Sequence, residues 1–433
     1  MRVSGRVELQ GDKSISHRAL ILGTLACGRS RVCGILDSAD IRSTAGVLRS
    51  LGASVPPLAG VMDIHGAGWK VLRSPAHALE CGNSGTTARL MAGVVAGLPI
   101  TARFTGDESL SRRPMRRIAR PLEAMGARVV LENGGDHLPM RVAGGSLRSI
   151  EWTTEAASAQ IKSAILLAGL VAGVPVSITE PAPSRDHTER MLGARGVTIG
   201  TGANHAVRLD PVRELAPADM SVPRDPSSAA AFVALAMLAD EGEIELPGVC
   251  VNPGRTGFMA AARRMGANVN WESPADQGDA RRTGGSGGEP VATVLASATG
   301  GADLLHGITV CAADVPAMID ELPLLACVAA RARGETVLHG AHELRLKESN
   351  RIAAVVSNLR AIGVDADELA DGFRIIGTRA PLRGRVITYG DHRLAMSFGV
   401  LGASRDCDIV VDDRECVAVS YPRFWEDLAR VTG

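Results

Sequence analysis

Aromatic side chains make up only 3% of the 433 residues, too few for the stacking platforms that bind single-stranded nucleic acid. Charge of one sign is also missing. The 47 basic residues balance 47 acidic ones, so the formal net charge is zero and no polyanionic partner such as nucleic acid is implied. The eight cysteines form no CxxC pair and no short framework, which fits reduced thiols in a cytoplasm. No HExxH or paired Cys/His pattern occurs, so no metal site is expected. The longest apolar stretch, Ala164 to Ile178, falls short of the roughly 18 residues of a membrane span and is broken by Gly and Pro. The first residues, MRVSGRVELQGDKS, lack the apolar core of a signal peptide. A cytoplasmic protein with no membrane partner is expected.

What is present is repetition. A polar segment leads into an Ala-rich apolar run of helical length, then a Gly, then a short β-prone run. The copies begin at Arg18, Arg89, Ser163, Ala229, Leu322 and Arg393, and close at Gly28, Gly97, Gly173, Gly242, Gly334 and, less cleanly, Gly402. The closing glycines lie about 70 residues apart, with one gap near 92, so a small α/β unit is used six times. A second phrase, a helix ending in a Gly turn before a strand, recurs at LRSLGASV, LEAMGARVV, MLGARGVTI, RRMGANVNW and LRAIGVDA. The sixth unit lacks it and ends in YPRFWEDLARV, read as a last helix with no strand after it. Ser273 to Pro290, rich in Gly and aperiodic, reads as an exposed loop. A polar break at SVPRDPSS separates three units from three, and GDKS is a candidate second crossing.

The segments before each apolar run are polar: GDKSISHR, CGNSGTTAR, SAQIKS, RDPSS, IDELP and YGDHR. Helix N-termini carry free N–H groups and a positive dipole end, so they suit anions. GDKSISHR puts Lys13 and Ser14 at a strand-to-helix junction with Arg18 one turn on. This is either an anion holder or an ordinary N-cap Ser with solvated basic residues. GNSGTTAR is a Gly-rich turn whose backbone can approach a ligand closely, and Cys81 beside it reads as a core residue. In GDESLSRRPMRR, Arg113 precedes Pro114 and is held extended, while the neighbouring arginines read as a solvated face. Lys347 and Arg351 are spaced i, i+4 with Glu348 alongside, which by itself also describes a surface salt-bridge helix. His392 and Arg393 open a helix. Together these motifs put cations, carboxylates and helix ends at equivalent places in six repeats, which argues for one multi-anionic site.

GDKSISHR, GNSGTTAR, GDESLSRRPM, SAQIKSA, LRLKESNR and YGDHRLAM closely resemble the EPSP synthase (3-phosphoshikimate 1-carboxyvinyltransferase) family, and the likeness runs from the first strand to SYPRFW. The related transferases that act on a nucleotide sugar have Lys-Asn where this chain has Lys13-Ser14, and usually a reactive Cys in the loop matching Ser111–Arg113, which holds none here. A catalytically silent anion-binding scaffold on the same fold is the alternative from another class.

The resemblance implies an α/β chain folded as a two-domain inside-out α/β barrel of six βαβαββ repeats, three per domain, with the active site in the inter-domain cleft. Residues 12–224 would form the N-terminal domain, mainly holding 3-phosphoshikimate. Residues 1–11 and 225–433 would form the other, with phosphoenolpyruvate and acid/base residues. It further implies a monomer whose partners are those two small molecules, with no metal or organic cofactor. Carried over by motif, the 3-phosphoshikimate set is Lys13, Ser14, Arg18, Ser158, Ala159 through its backbone, Gln160, Ser184, Asp320 and Lys347. The phosphoenolpyruvate set is Lys13, Gly85, Arg113, Gln160, Arg351 and Arg393. Asp320 resembles the acceptor of the 5-hydroxyl proton, and Glu348 the donor to the methylene carbon, with Lys13 assisting. Two departures stand out. Glu343 replaces an Asn of some relatives, and Val419 replaces a Lys expected to touch phosphoenolpyruvate. The string RDHTE suggests that Arg185 supplies part of the phosphate grip. The family is the target of glyphosate, and Gly85, without a Cβ, is expected to leave room for it.

Overall fold

The computed structural model describes residues 1–271, 287–298 and 304–432. Most of the Gly-rich stretch expected as a loop, through residue 286, lies outside them.

Two kinds of helix alternate along the chain. The apolar runs form α1 (Lys13–Leu25), α3 (Gly85–Ala96), α5 (Ala159–Ala172), α7 (Pro226–Leu238), α9 (Leu322–Ala329) and α11 (His392–Gly402). Past the polar residues of their N-terminal turns they are apolar on every side and are therefore interior; every residue of α7 and α9 is buried. Between them run α2 (Ala39–Ser50), α4 (Arg116–Met125), α6 (His187–Gly193), α8 (Gly257–Arg264), α10 (Arg351–Ala361) and the terminal α12 (Phe424–Thr432). Several of these are two-faced: α4 buries Ile118, Ala119, Leu122 and Met125 and leaves its arginines outward.

Each interior helix leads into a strand with a parallel neighbour. Leu79–Glu80 pairs with Thr101–Thr105, Ile150–Thr153 with Val176–Thr179, Thr309–Val310 with Glu335–Leu338, and Leu382–Val386 with Cys407–Val411. These four pairs are direct βαβ crossovers around α3, α5, α9 and α11. The remaining two strands are exchanged. Arg2–Arg6 precedes α1 yet pairs with Glu241–Cys250, which follows α7. Met220–Ser221 precedes α7 yet pairs with Cys27–Cys33, which follows α1. Among the described residues, antiparallel partners extend five of the six sheets to three or four strands.

The described residues fall into two compact units. One comprises 1–10, 224–271, 290–298 and 304–432; the other comprises 11–223 and 287–289. The chain passes between them after Gln10 and Pro223, where the strand exchange requires it.

The closing glycines do not share one role. Gly173 is a left-handed C-cap and Gly97 a right-handed one. Gly28 and Gly242 lie inside the following strands instead, because α1 and α7 already end at the extended residues Ala26 and Ala239. After α2 the expected strand is also absent: no strand begins before Val61.

One packing contact positions the site. A Cβ on Gly93 of α3 would fall 2.2 Å from the Ala164 carbonyl oxygen of α5, and one on Gly97 would fall 2.8 Å from that of Ala168. Only glycine admits so close an approach. The two helices therefore run side by side in one direction, offset by 71 residues, and their N-termini lie at the same end.

Candidate active site

In the unit built on 11–223, three helix N-termini carry the expected residues. The cap of α1 is Asp12, not Ser14: its carboxylate accepts from the Ile15 N–H at 2.8 Å. Lys13 opens the helix and reaches Asp40 at 3.3 Å. Arg18 is buried and donates to Thr188 Oγ1 at 2.7 Å, the Ser14 carbonyl at 2.9 Å and Ser163 Oγ at 2.8 Å. Burial pushes its pKa down to about 10, against the pull of Glu189, Asp12 and Glu289.

Ser84 caps α3 by accepting from the Thr87 N–H, which leaves Gly85 at the first helical position. Arg113 is extended before Pro114 (φ −83°, ψ 139°) and only 8% exposed. Its guanidinium donates to Asn83 Oδ1 at 2.6 Å. The Cβ direction of Gly85 points at two guanidinia, those of Arg89 and Arg113, at 2.7 and 3.6 Å. Cys81 is buried, and burial pushes its thiol up, away from nucleophile chemistry.

Ser158 caps α5, so Ala159 and Gln160 present the first backbone N–H groups of that helix. The Glu180 carboxylate accepts from the Ser158 N–H at 2.9 Å and the Ser184 hydroxyl at 2.7 Å. Lys162 neutralises it, with its ammonium 2.8 Å from both Glu180 and Glu189. Burial opposes the Lys162 charge, but the two carboxylates outweigh it and hold its pKa above the ordinary lysine value. Lys162, Glu180 and Glu189 were not expected at the site, although SAQIK and RDHTE carry two of them. Nearby, Asp186, His187 and Glu289 come within 4.8 Å of one another. His187 Nδ1 is bonded to Glu289 at 2.7 Å and Asp186 accepts from Arg190 at 2.8 Å.

In the other unit, Arg351 is the hub. It opens α10 and is 1% exposed. It donates to Asp391 at 2.8 Å and Glu348 at 2.6 Å, and lies 3.6 Å from Asp320. Burial opposes its charge, but Asp391 and Glu348 outweigh it, so its pKa lies above the ordinary arginine value. Lys347 lies 3.5 Å from Asp320. Lys347 and Glu348 are not on the helix that their spacing suggested. They occupy a bend between a short 3-10 turn, His342–Leu346, and the Asn350 cap. Glu343 sits in that turn and Val419 in a second, Glu415–Val419. Asp391 caps α11 by accepting from the Arg393 N–H at 2.9 Å, and the Arg393 guanidinium lies 3.5 Å from Glu321. The proton-handling candidates Asp320 and Glu348 are thus held on one buried cation.

The sequence model of the EPSP synthase (3-phosphoshikimate 1-carboxyvinyltransferase) family matches residues 1–428. The chain belongs to the EPSP synthase family. It is 45% identical over 428 residues to the 3-phosphoshikimate 1-carboxyvinyltransferase of Parvibaculum lavamentivorans, covering 97% of this chain and 92% of that one. It is 43% identical to the Sulfurihydrogenibium protein of the same name, over 100% and 98% of the two chains. The EPSP synthase structure from Acinetobacter baumannii superposes with a TM-score of 0.84 at 38% identity, over 99% of this chain and 96% of that one. A likeness at 16% identity to the enolpyruvyl transferase NikO from Streptomyces tendae, TM-score 0.74, extends the fold alone beyond the EPSP synthases.

Proposed function

We infer that the protein transfers the carboxyvinyl group of phosphoenolpyruvate to the 5-hydroxyl of 3-phosphoshikimate, giving 5-enolpyruvylshikimate 3-phosphate and phosphate. The observation that carries this reading is the grouping of Asp320 and Glu348 on Arg351 in a chain that matches the family over almost its whole length. Addition of the hydroxyl across the enol double bond needs a base for the hydroxyl proton and an acid for the methylene carbon. Asp320 and Glu348 take these roles, with Lys13 assisting. Both substrates are anionic and repel, so cations must offset their charge before they meet. The helix ends at Lys13, Gly85 and Ser158 and the guanidinia of Arg18, Arg113, Arg351 and Arg393 supply that offset. Ser14, Ala159, Gln160, Ser184 and Lys347 complete the 3-phosphoshikimate contacts. The proposed acid and base, Asp320 and Glu348, stand on one unit, and the helix ends at Lys13, Gly85 and Ser158 on the other. No helix among the described residues is long and apolar enough to cross a membrane, and the proposed partners are the two small molecules.

The test is phosphate release with 3-phosphoshikimate and phosphoenolpyruvate, run beside the nucleotide-sugar acceptor. Turnover with the first acceptor alone is expected. Turnover with the nucleotide sugar, or with neither, overturns the reading.

A further inference from the structure

We propose that Arg89 is a positioning residue for phosphoenolpyruvate, acting through Gly85, Arg113 and Gln160; this rests on the reaction assigned above. Arg89 lies on the second turn of α3, is 8% exposed, and carries no role in the motif reading. Its NH1 donates to Gln160 Oε1 at 2.6 Å and its NH2 to the Pro114 carbonyl at 3.2 Å. A guanidinium has donors only. The Gln160 amide must therefore turn its oxygen toward Arg89 and its NH2 away. One N–H of that group is donated to Thr86 Oγ1 at 3.1 Å. Arg89 thus makes Gln160 a donor, the polarity an anionic ligand requires. The Pro114 carbonyl directly follows Arg113, so the second arm of the fork holds the backbone that carries the Arg113 guanidinium. The third contact is steric: a Cβ on Gly85 would fall 2.7 Å from Arg89 NH1, so Gly85 is what lets the fork lie across the helix end. The parallel register of α3 and α5 brings residues 89 and 160 level, in step with the Gly93–Ala164 contact.

Arg89→Leu removes both arms, and Arg89→Lys puts a single nitrogen in place of the fork. Displacing a binding group by about 1 Å costs on the order of 100-fold. In folded Arg89→Leu the KM for phosphoenolpyruvate should rise about 10- to 100-fold, with the KM for 3-phosphoshikimate rising less than about 5-fold, and Arg89→Lys should lie between it and the wild type. A purely structural arginine would lower the melting temperature and the active fraction while leaving both KM values in place. Gly85→Ala acts on the same fork. Its effect on the phosphoenolpyruvate KM should therefore overlap that of Arg89→Lys, and the double variant should fall near the worse single one rather than at their product. An unchanged phosphoenolpyruvate KM in both Arg89 variants, or fully multiplicative effects in the double variant, overturns the proposal alone. A wild-type protein without turnover removes the reaction and the proposal together.

Discussion

Arg351 holds Glu348 at 2.6 Å while its own guanidinium is 1% exposed. The same guanidinium pairs with Asp391, which is fully buried. One arginine therefore pairs with a buried carboxylate on one side and with the proposed proton donor on the other, and the two can be separated by experiment.

On the structural side, Arg351→Met leaves Asp391 charged and unpaired in the interior. Breaking a buried pair by removing one partner costs about 3–5 kcal/mol. A marked fall in thermal stability is expected, read by circular dichroism or calorimetry. A melting temperature equal to wild type would show that Asp391 finds another cation.

On the chemical side, Glu348→Gln keeps the shape of the bend but cannot shuttle a proton, and Asp320→Ala removes the proposed base. Each should lower kcat by at least ~100-fold, the usual scale of a general acid or base, with the fold intact by circular dichroism. Near-normal kcat in either purified variant takes that residue out of the proton-transfer scheme.

Acid sensitivity should be traceable to His17. The ring is fully buried, and its Nδ1 lies 2.6 Å from Thr44 Oγ1. Thr44 bonds Thr87, whose hydroxyl donates to Ser84. Since the Thr87 proton is used at Ser84, Thr44 donates to Thr87 and Nδ1 donates to Thr44. The ring therefore carries a proton on Nδ1, and its Nε2 has no hydrogen-bond partner among the described residues. Burial, with Lys13 and Arg18 nearby, holds its pKa well below the usual 6.5. Below pH 6.5 the unfolded chain takes up a proton at His17 that the folded chain refuses, so stability falls as pH falls, by up to about 1.4 kcal/mol per pH unit. His17→Asn keeps a donor toward Thr44 and does not titrate. Melting temperature between pH 7 and 5 should decline less steeply in the variant; parallel curves would assign the acid loss to other groups.

Gly85→Ala should discriminate between the substrate and glyphosate. The added methyl points at the Arg89 and Arg113 guanidinia, so it narrows the turn at the proposed phosphoenolpyruvate site, where a longer ligand has less room. The ratio of the glyphosate inhibition constant to the phosphoenolpyruvate KM should rise. An unchanged ratio would mean that Gly85 does not govern inhibitor access.

The local elements were legible in the sequence because their causes are local. Six apolar Ala-rich runs became interior helices. Pro114 held Arg113 extended, and Ser158 became the cap of α5. Gly126 became a left-handed cap as the second phrase required. Motif likeness then singled out residues at the ends of those helices. Two misses were local as well, each decided by a capping residue that the spacing alone did not weigh. The spacing of Lys347, Glu348 and Arg351 allowed a helix, but Asn350 caps it and leaves the first two in a bend. Asp12 outcompeted Ser14 for the cap of α1. The placing of residues 1–11 with 225–433 came from the family likeness, because the pairings of Arg2–Arg6 with Glu241–Cys250 and of Met220–Ser221 with Cys27–Cys33 span more than 180 residues, which no local pattern records.

The residue types at the helix ends, and hence the anion chemistry, were set by the sequence alone. Tertiary structure decided which of those groups meet. Arg89 faces Gln160 only because Gly93 lets α3 and α5 close against each other, and Lys162 is a buried counterion only because Glu180 and Glu189 arrive from separate segments. Such contacts depend on packing and burial, which act between parts of the chain that are remote in sequence, whereas helix ends and turns depend on neighbours a few residues away.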